Sequence, residues 1–171
     1  MSNITKDQLN RAVFEILNVM PGPGLLMLTG SDAEKENLIT IGWLQFGIVW
    51  GEPTVNVFVR QSRYSYELLQ KYDEFTINLL PVPTFNDVLS KCASSSGSYT
   101  NKFKDTNLTK VKSKIVNCTS IHEASMVLEC KIIFKHDVSI NELSDIIVNK
   151  FYTDGDYHQI ITAKIINIKE K

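Results

Sequence analysis

Apolar residues at Leu9, Ala12, Val13, Ile16, Leu17 and Met20 recur at the three- and four-residue spacing that gathers side chains on one face of a helix. Thr5 stands before them with Gln8 three positions on, a capping box, so the pattern predicts a helix over 5–20, ended by Pro21-Gly22-Pro23-Gly24. The period then changes. An apolar run at 25–28, a polar turn at 31–36 and a second apolar, β-branched stretch at 38–50 read as a hairpin. After the turn Gly51-Glu52-Pro53, Val55, Val57 and Val59 alternate with Asn56 and Phe58, which predicts a strand over 54–59.

The second half of the chain continues in the same mixed rhythm. A hydroxyl at Ser65 caps a short helix through Leu68, Leu69 and Tyr72, and a strand over 74–80 is stopped by Pro81 and Pro83. Thr84 and Asp87 open a helix carrying Val88, Leu89 and Cys92, which runs out in Ser94-Ser95-Ser96-Gly97. Further strands are expected over 111–118, 124–134 and 157–168, with a capping box at Ser139 and Glu142 leading a helix through Leu143, Ile146 and Ile147. Strands outnumber helices and no strand-helix-strand unit repeats. The expected fold is therefore a mainly β antiparallel barrel with peripheral helices, one domain over 1–171.

Composition narrows the function. With 43% hydrophobic and 22% charged residues in 171, the chain has the make-up of a globular protein with a substantial core. Eighteen basic against nineteen acidic side chains, a net charge of -1, argue against a protein built to hold a nucleic-acid backbone. No apolar run reaches the roughly 20 residues of a membrane span, and the N-terminus lacks a basic-then-apolar signal layout, so a cytoplasmic protein is expected. Cys92, Cys118 and Cys130 stand far apart, as reduced thiols do, and His122, His136 and His158 show no metal-ligand spacing; no metal is expected. Dinucleotide-fingerprint, Walker, nucleophile-elbow and zinc-helix motifs are all missing from the chain.

Three segments carry candidate chemistry. Arg60-Gln61-Ser62-Arg63-Tyr64-Ser65 leaves a strand and enters a helix, so two guanidinium groups, two hydroxyls and free backbone N–H groups gather where a phosphate could be held. The same residues also read as a capped helix with solvated arginines, and spacing leaves both readings open. Ser94 to Ser98 with Asn101 and Lys102 offers Ser96 and Gly97 as an anion loop beside a lysine, or a plain surface loop. Thr40-Ile41-Gly42-Trp43 sets a small residue beside a large ring, which suits a flat ligand as well as a core. Lys110, Lys112 and Lys114 alternate with Val111, Ser113 and Ile115 and read as a solvated strand face.

Taken in order, these segments resemble the flavin reductase and flavoredoxin family of FMN-binding split barrels. Asn37-Leu38-Ile39-Thr40-Ile41-Gly42-Trp43 resembles the family's N-x-x-T-x-[SG]-W strand, and Trp50-Gly51-Glu52-Pro53 its W-x-x-P turn. Arg63 to Leu68 is similar to R-Y-[ST]-Y-E-L, Glu74 to Leu79 to E-F-x-x-N-x, Leu128-Glu129-Cys130 to L-E-C, and Gly155 to His158 to G-D-[YH]-H. The resemblance implies a homodimer with FMN near the subunit interface. Thr40, Ile41, Gly42 and Trp43 would line the isoalloxazine, with His158 nearby, and Asn78 would join the cofactor-binding positions. Arg60, Ser62, Arg63 and Ser65, with Ser96, Gly97 and Lys102, would hold the phosphate tail.

It further implies electron transfer from NADH or NADPH through the flavin to an acceptor, or alternatively an FMN-holding carrier that serves a redox partner protein without nicotinamide turnover. The flavin would carry the redox chemistry, and no catalytic side chain is assigned. Where the family often has S-G-R-x-x-D-K-F, this chain has Ser96-Gly97-Ser98-Tyr99-Thr100-Asn101-Lys102-Phe103, so an Arg and an Asp are replaced. The segment 139–151 is also longer than the family's usual connection, as a helical lid would be.

Overall fold

A computed structural model describes residues 4–171. The first helix, α1 (Lys6–Val19), begins as its capping box dictates: the Gln8 N–H donates to Thr5 Oγ1 at 3.1 Å and the Thr5 N–H to Gln8 Oε1 at 3.0 Å. Ala12 and Ile16 are buried from its apolar face, whereas Leu17, expected on that face, is exposed.

Strands β1 (Leu25–Gly30), β2 (Glu36–Ile41), β3 (Leu44–Val49), β4 (Glu52–Arg60), β5 (Glu74–Leu79), β8 (Met126–Asp137) and β9 (His158–Glu170) form one seven-stranded sheet. Its order is β2-β1-β5-β8-β9-β4-β3, and every pairing is antiparallel. Two short strands, β6 (Lys110–Val111) and β7 (Ser120–Ile121), make a separate ribbon.

The expected antiparallel architecture is present, but the ladder does not close among the described residues: β2 and β3 are its two edges. The apolar stretch 38–50 is thus two strands rather than one, parted at Gly42-Trp43 and sent to opposite edges of the sheet. The sheet nevertheless curls. Ile39 and Ile41 from β2 share one buried cluster with Val55 and Val57 from β4, and α1 covers that cluster through Ala12 and Ile16. Strand β1 is buried on both faces, sending Leu25 and Met27 into this cluster and Leu26 and Leu28 into a second one. The second cluster lies beneath α3 (Asn86–Ser94) and the chain from Leu108 to Ala124.

Three local expectations need correction. The strand predicted over 111–118 is absent beyond Val111, because the chain there wraps around acidic side chains of the main sheet. The Lys114, Ile115 and Val116 N–H groups donate to the Glu129 carboxylate, the Asn117 N–H to Glu74, and the Thr119 N–H to Glu36. Ser139 and Glu142 form no capping box: residues Ile140–Glu142 make one 3-10 turn, and the helix Asp145–Phe151 starts after Ser144. The cap of helix α2 (Tyr64–Lys71) falls two residues early, at Arg63, so Ser65 lies in its first turn and does not cap it.

Candidate functional site

The break between β2 and β3, the end of β4, the start of α2 and the start of β9 converge on one groove. Residues Ile39 to Trp43, Phe58 to Arg60, Arg63, Ala93 and His158 enclose a cavity of about 150 Å³. Beyond it, Ser62 to Ser65, Ser95 to Gly97, Asn37, Cys92 and Lys102 border a smaller one of about 90 Å³. Ile39 and Arg63 belong to both, which makes the two cavities neighbouring parts of one depression. One end is walled by the Trp43, Phe58 and His158 side chains and the β2 backbone, and the other carries hydroxyls, N–H groups and a guanidinium.

At the ring-walled end the register of β4 against β9 sets Arg60 opposite His158. Trp43 is 38% exposed and leans on the His158 ring at 4.7 Å between centroids, with Phe151 edge-on at 5.1 Å. Thr40 Oγ1 donates to the Leu89 carbonyl at 2.6 Å, tying β2 to α3. The Ile41 side chain lies in the core, so only its backbone can face a ligand. A Cβ built on Gly42 would meet nothing within 4 Å, so the backbone there borders open space. His158 is buried to 8% exposure and donates or accepts one hydrogen bond, Nδ1 to the Tyr152 hydroxyl at 2.9 Å. Burial first, and the Arg60 charge second, push its imidazole down to about 4, so it is neutral at pH 7.

At the polar end the expected anion ligands divide. Arg60 is taken up by structure: it donates to the carbonyls of Asp156 and Phe151, both at 2.8 Å, and to Asp154 Oδ1 at 3.3 Å. Ser62 is held by Asp156, its hydroxyl at 2.6 Å and its N–H at 3.2 Å from the carboxylate. Ser65 is fully buried and its Oγ accepts from Asn37 Nδ2 at 2.8 Å. Arg63 differs, since its guanidinium makes one bond, to the Ala93 carbonyl at 3.2 Å, and no carboxylate pairs with it among the described residues.

Gly97 packs against β2 so closely that a Cβ there would fall 1.8 Å from Asn37 Oδ1, while Ser96 Oγ shares a hydrogen with Ser98 Oγ at 2.7 Å. Lys102 is buried and donates to the Leu38 and Cys92 carbonyls, both at 2.8 Å, so it braces the groove wall from behind; burial pushes its amine down. Asn78 stands apart from the groove. Its amide donates to Leu26 and Thr76 and accepts from the Ile121 N–H, an internal brace of the sheet.

The structure therefore gathers Thr40, Ile41, Gly42, Trp43 and His158 at one end and Arg63, Ser65, Ser96 and Gly97 at the other. It also adds residues that periodicity did not single out: Phe151 and Tyr152 against the rings, Asp156 on the Ser62 turn, and Asn37 between Ser65 and Gly97. The acidic pair Asp154 and Asp156 beside the Arg60-Arg63 segment was the available sequence signal, visible only once β4 and β9 are paired.

Residues 18–171 match the family described as the flavin reductase like domain, and the chain belongs to that family. The fold resembles the flavoredoxin of Desulfovibrio vulgaris (Miyazaki F), with a TM-score of 0.67 at 20% identity over 86% of this chain and 68% of that one. It also resembles an FMN-binding protein from Thermus thermophilus crystallised with 1-cyclohex-2-enone, at TM-score 0.65, 18% identity and coverage of 86% and 70%. A protein of Shewanella frigidimarina described as a flavin reductase with a split barrel domain aligns over 100% of this chain and 81% of its own, at TM-score 0.70 and 14% identity. At these identities the likeness is one of fold.

Proposed function

We propose that the groove holds FMN and that the protein passes electrons from NADH or NADPH through it to an acceptor. The observation that carries this reading is the layout of the groove, one end walled by the Trp43 and His158 rings and the β2 backbone and joined to an end with hydroxyls, N–H groups and an unpaired guanidinium. FMN has the same division, a planar ring system and an anionic tail. Gly42, Trp43, the Thr40-Ile41 backbone and His158 would hold the ring. The tail would be held by Arg63, by Ser96 and Gly97, and by the Tyr64 and Ser65 N–H groups, which at the helix start lack intrahelical acceptors. When bound, the flavin supplies the hydride and electron chemistry; the chain supplies binding, orientation and exclusion of water. Arg60, Ser62 and Lys102 contribute by fixing the walls.

The experiment is anaerobic addition of NADH and of NADPH to the FMN-loaded protein. Bleaching of the flavin band by at least one of them at a catalytic rate is expected. Bleaching by dithionite with neither nicotinamide effective would replace the enzyme reading with that of an electron carrier.

The protein is also proposed to act as a homodimer. Trp50, 72% exposed and edge-on to Phe134 at 6.3 Å, stands with Ile48 at the end of the edge strand β3, an apolar surface of the kind a second copy would cover. Light scattering of the FMN-loaded protein at micromolar concentration should give twice the chain mass, and a monomer would contradict the proposal.

A further inference from the structure

The helix Asp145–Phe151 is closed by a tyrosine with a defined task. Tyr152 is buried, and its hydroxyl reaches one partner among the described residues, His158 Nδ1 at 2.9 Å. Its ring is fixed from two sides: the Tyr157 ring stacks on it at 5.0 Å with 24° between planes, and the Arg60 guanidinium lies 5.5 Å from its centroid. Arg60 is itself immobilised by the Phe151 and Asp156 carbonyls and by Asp154, so the phenol is aimed by a rigid frame. The imidazole is equally constrained, with Trp43 at 4.7 Å and Phe58 edge-on at 6.4 Å. His158 borders the ring-walled end of the groove, and its second nitrogen, Nε2, has no hydrogen-bond partner in the protein among the described residues.

We infer that Tyr152 is a positioning residue: its hydroxyl donates to His158 Nδ1, which fixes the proton on Nε2 and presents a neutral N–H donor to the ring end of the groove. The alternative, Nδ1–H donating to the phenol, would leave the buried phenolic hydrogen without an acceptor, and a phenol oxygen is a weaker acceptor than an imidazole nitrogen. A neutral imidazole has one proton to place, and the hydrogen bond made by one nitrogen decides which nitrogen carries it. Depression of the imidazole by burial keeps the ring in that neutral form at pH 7. The ligand class that fits such a donor is a planar heterocycle with a ring nitrogen or carbonyl acceptor on its rim, which on the function proposed above is the flavin itself.

The test reads the tautomer directly. Replacing His122 and His136 with Gln leaves His158 as the single imidazole of a chain with three histidines. Long-range 1H–15N correlation at pH 7 should then show Nδ1 with the shift of an unprotonated nitrogen and Nε2 with that of a protonated one. Tyr152→Phe, which keeps the stacked ring, should move both shifts toward the average of mixed tautomers. Should that variant fail to fold, an exchange-protected Tyr152 hydroxyl proton coupled to Nδ1 in the unsubstituted chain gives the same answer. A protonated Nδ1, or a pattern unchanged by Tyr152→Phe, would overturn the assignment. Because the shifts are read without flavin, their failure is distinguishable from a failure of FMN binding. With FMN added, the Nε2–H resonance should shift; an unmoved resonance in a protein that binds FMN would overturn its role as a donor to the ring.

Discussion

FMN should bind this protein about 100-fold more tightly than riboflavin, and Arg63→Ala should lower FMN affinity by about tenfold while leaving riboflavin affinity unchanged. The magnitude follows from charge-assisted hydrogen bonds, each of about 1.5–3 kcal/mol, of which the groove offers at least two, from Arg63 and from the start of α2. Two such bonds amount to about 3 kcal/mol or more, and each 1.4 kcal/mol is about a tenfold change in affinity. Arg63 is the residue to change because its charge is not neutralised by a carboxylate, in contrast to Arg60 beside Asp154 and Asp156. Arg60→Ala should instead loosen the turn that holds Phe151 and Asp156 and weaken both flavins alike. Calorimetric titration with the two flavins separates these outcomes. Equal affinity of the unsubstituted protein for FMN and riboflavin would remove the phosphate site.

Glu129→Ala should be among the most damaging single changes in the chain, with a loss of about 3–5 kcal/mol. The carboxylate is 2% exposed and accepts four hydrogen bonds: from the backbone N–H groups of Lys114, Ile115 and Val116 at 3.0, 2.7 and 3.1 Å, and from Asn167 Nδ2 at 2.8 Å. Removing it leaves three backbone donors without an acceptor, at about 1–3 kcal/mol each where water cannot reach them. For a chain of this length about 1 kcal/mol lowers the melting temperature by about 2–4 °C, so a fall of about 10 °C is expected in scanning calorimetry. Glu129→Gln keeps one acceptor oxygen and should lose less. An unchanged melting temperature in the alanine variant would show that the 112–119 segment does not depend on this anchor.

Glu129 also shows where the sequence stopped being legible. Period and capping located most of the main-sheet strands and α1, because those signals are local: an alternation, or a hydroxyl three residues from a Gln. The 111–118 segment has the same alternation, Lys110, Lys112 and Lys114 against Val111, Ser113 and Ile115, yet it is not a strand. Its backbone donors are satisfied by carboxylates from β2, β5 and β8 instead of a neighbouring ladder, and no local pattern encodes that. The split of 38–50 at Gly42-Trp43 likewise follows from the curl of the whole sheet, and no local period marks it.

The site was legible as a set of motifs and illegible as a division of labour. Arg60 and Arg63 look alike in sequence, and only the approach of the 151–156 turn decides that the first is structural. Asn78 lies within a motif that resembles the family's, but its side chain joins β1 to the 120–121 ribbon and does not line the groove. Tyr152 belongs to no motif, and its relation to His158 exists only once the chain has turned back at Gly155, whose φ of 72° favours a residue without a Cβ.

The central claim is that Trp43 and Arg63 border two ends of one FMN groove. Its most direct test is a titration of flavin-free Trp50→Phe protein, in which Trp43 is the single remaining tryptophan, with FMN while its fluorescence is recorded. Saturable quenching at one FMN per chain, shifted to higher FMN concentration by about tenfold or more when Arg63→Ala is added, is the predicted result. FMN that binds without quenching Trp43, or quenching that Arg63→Ala leaves where it was, would contradict it.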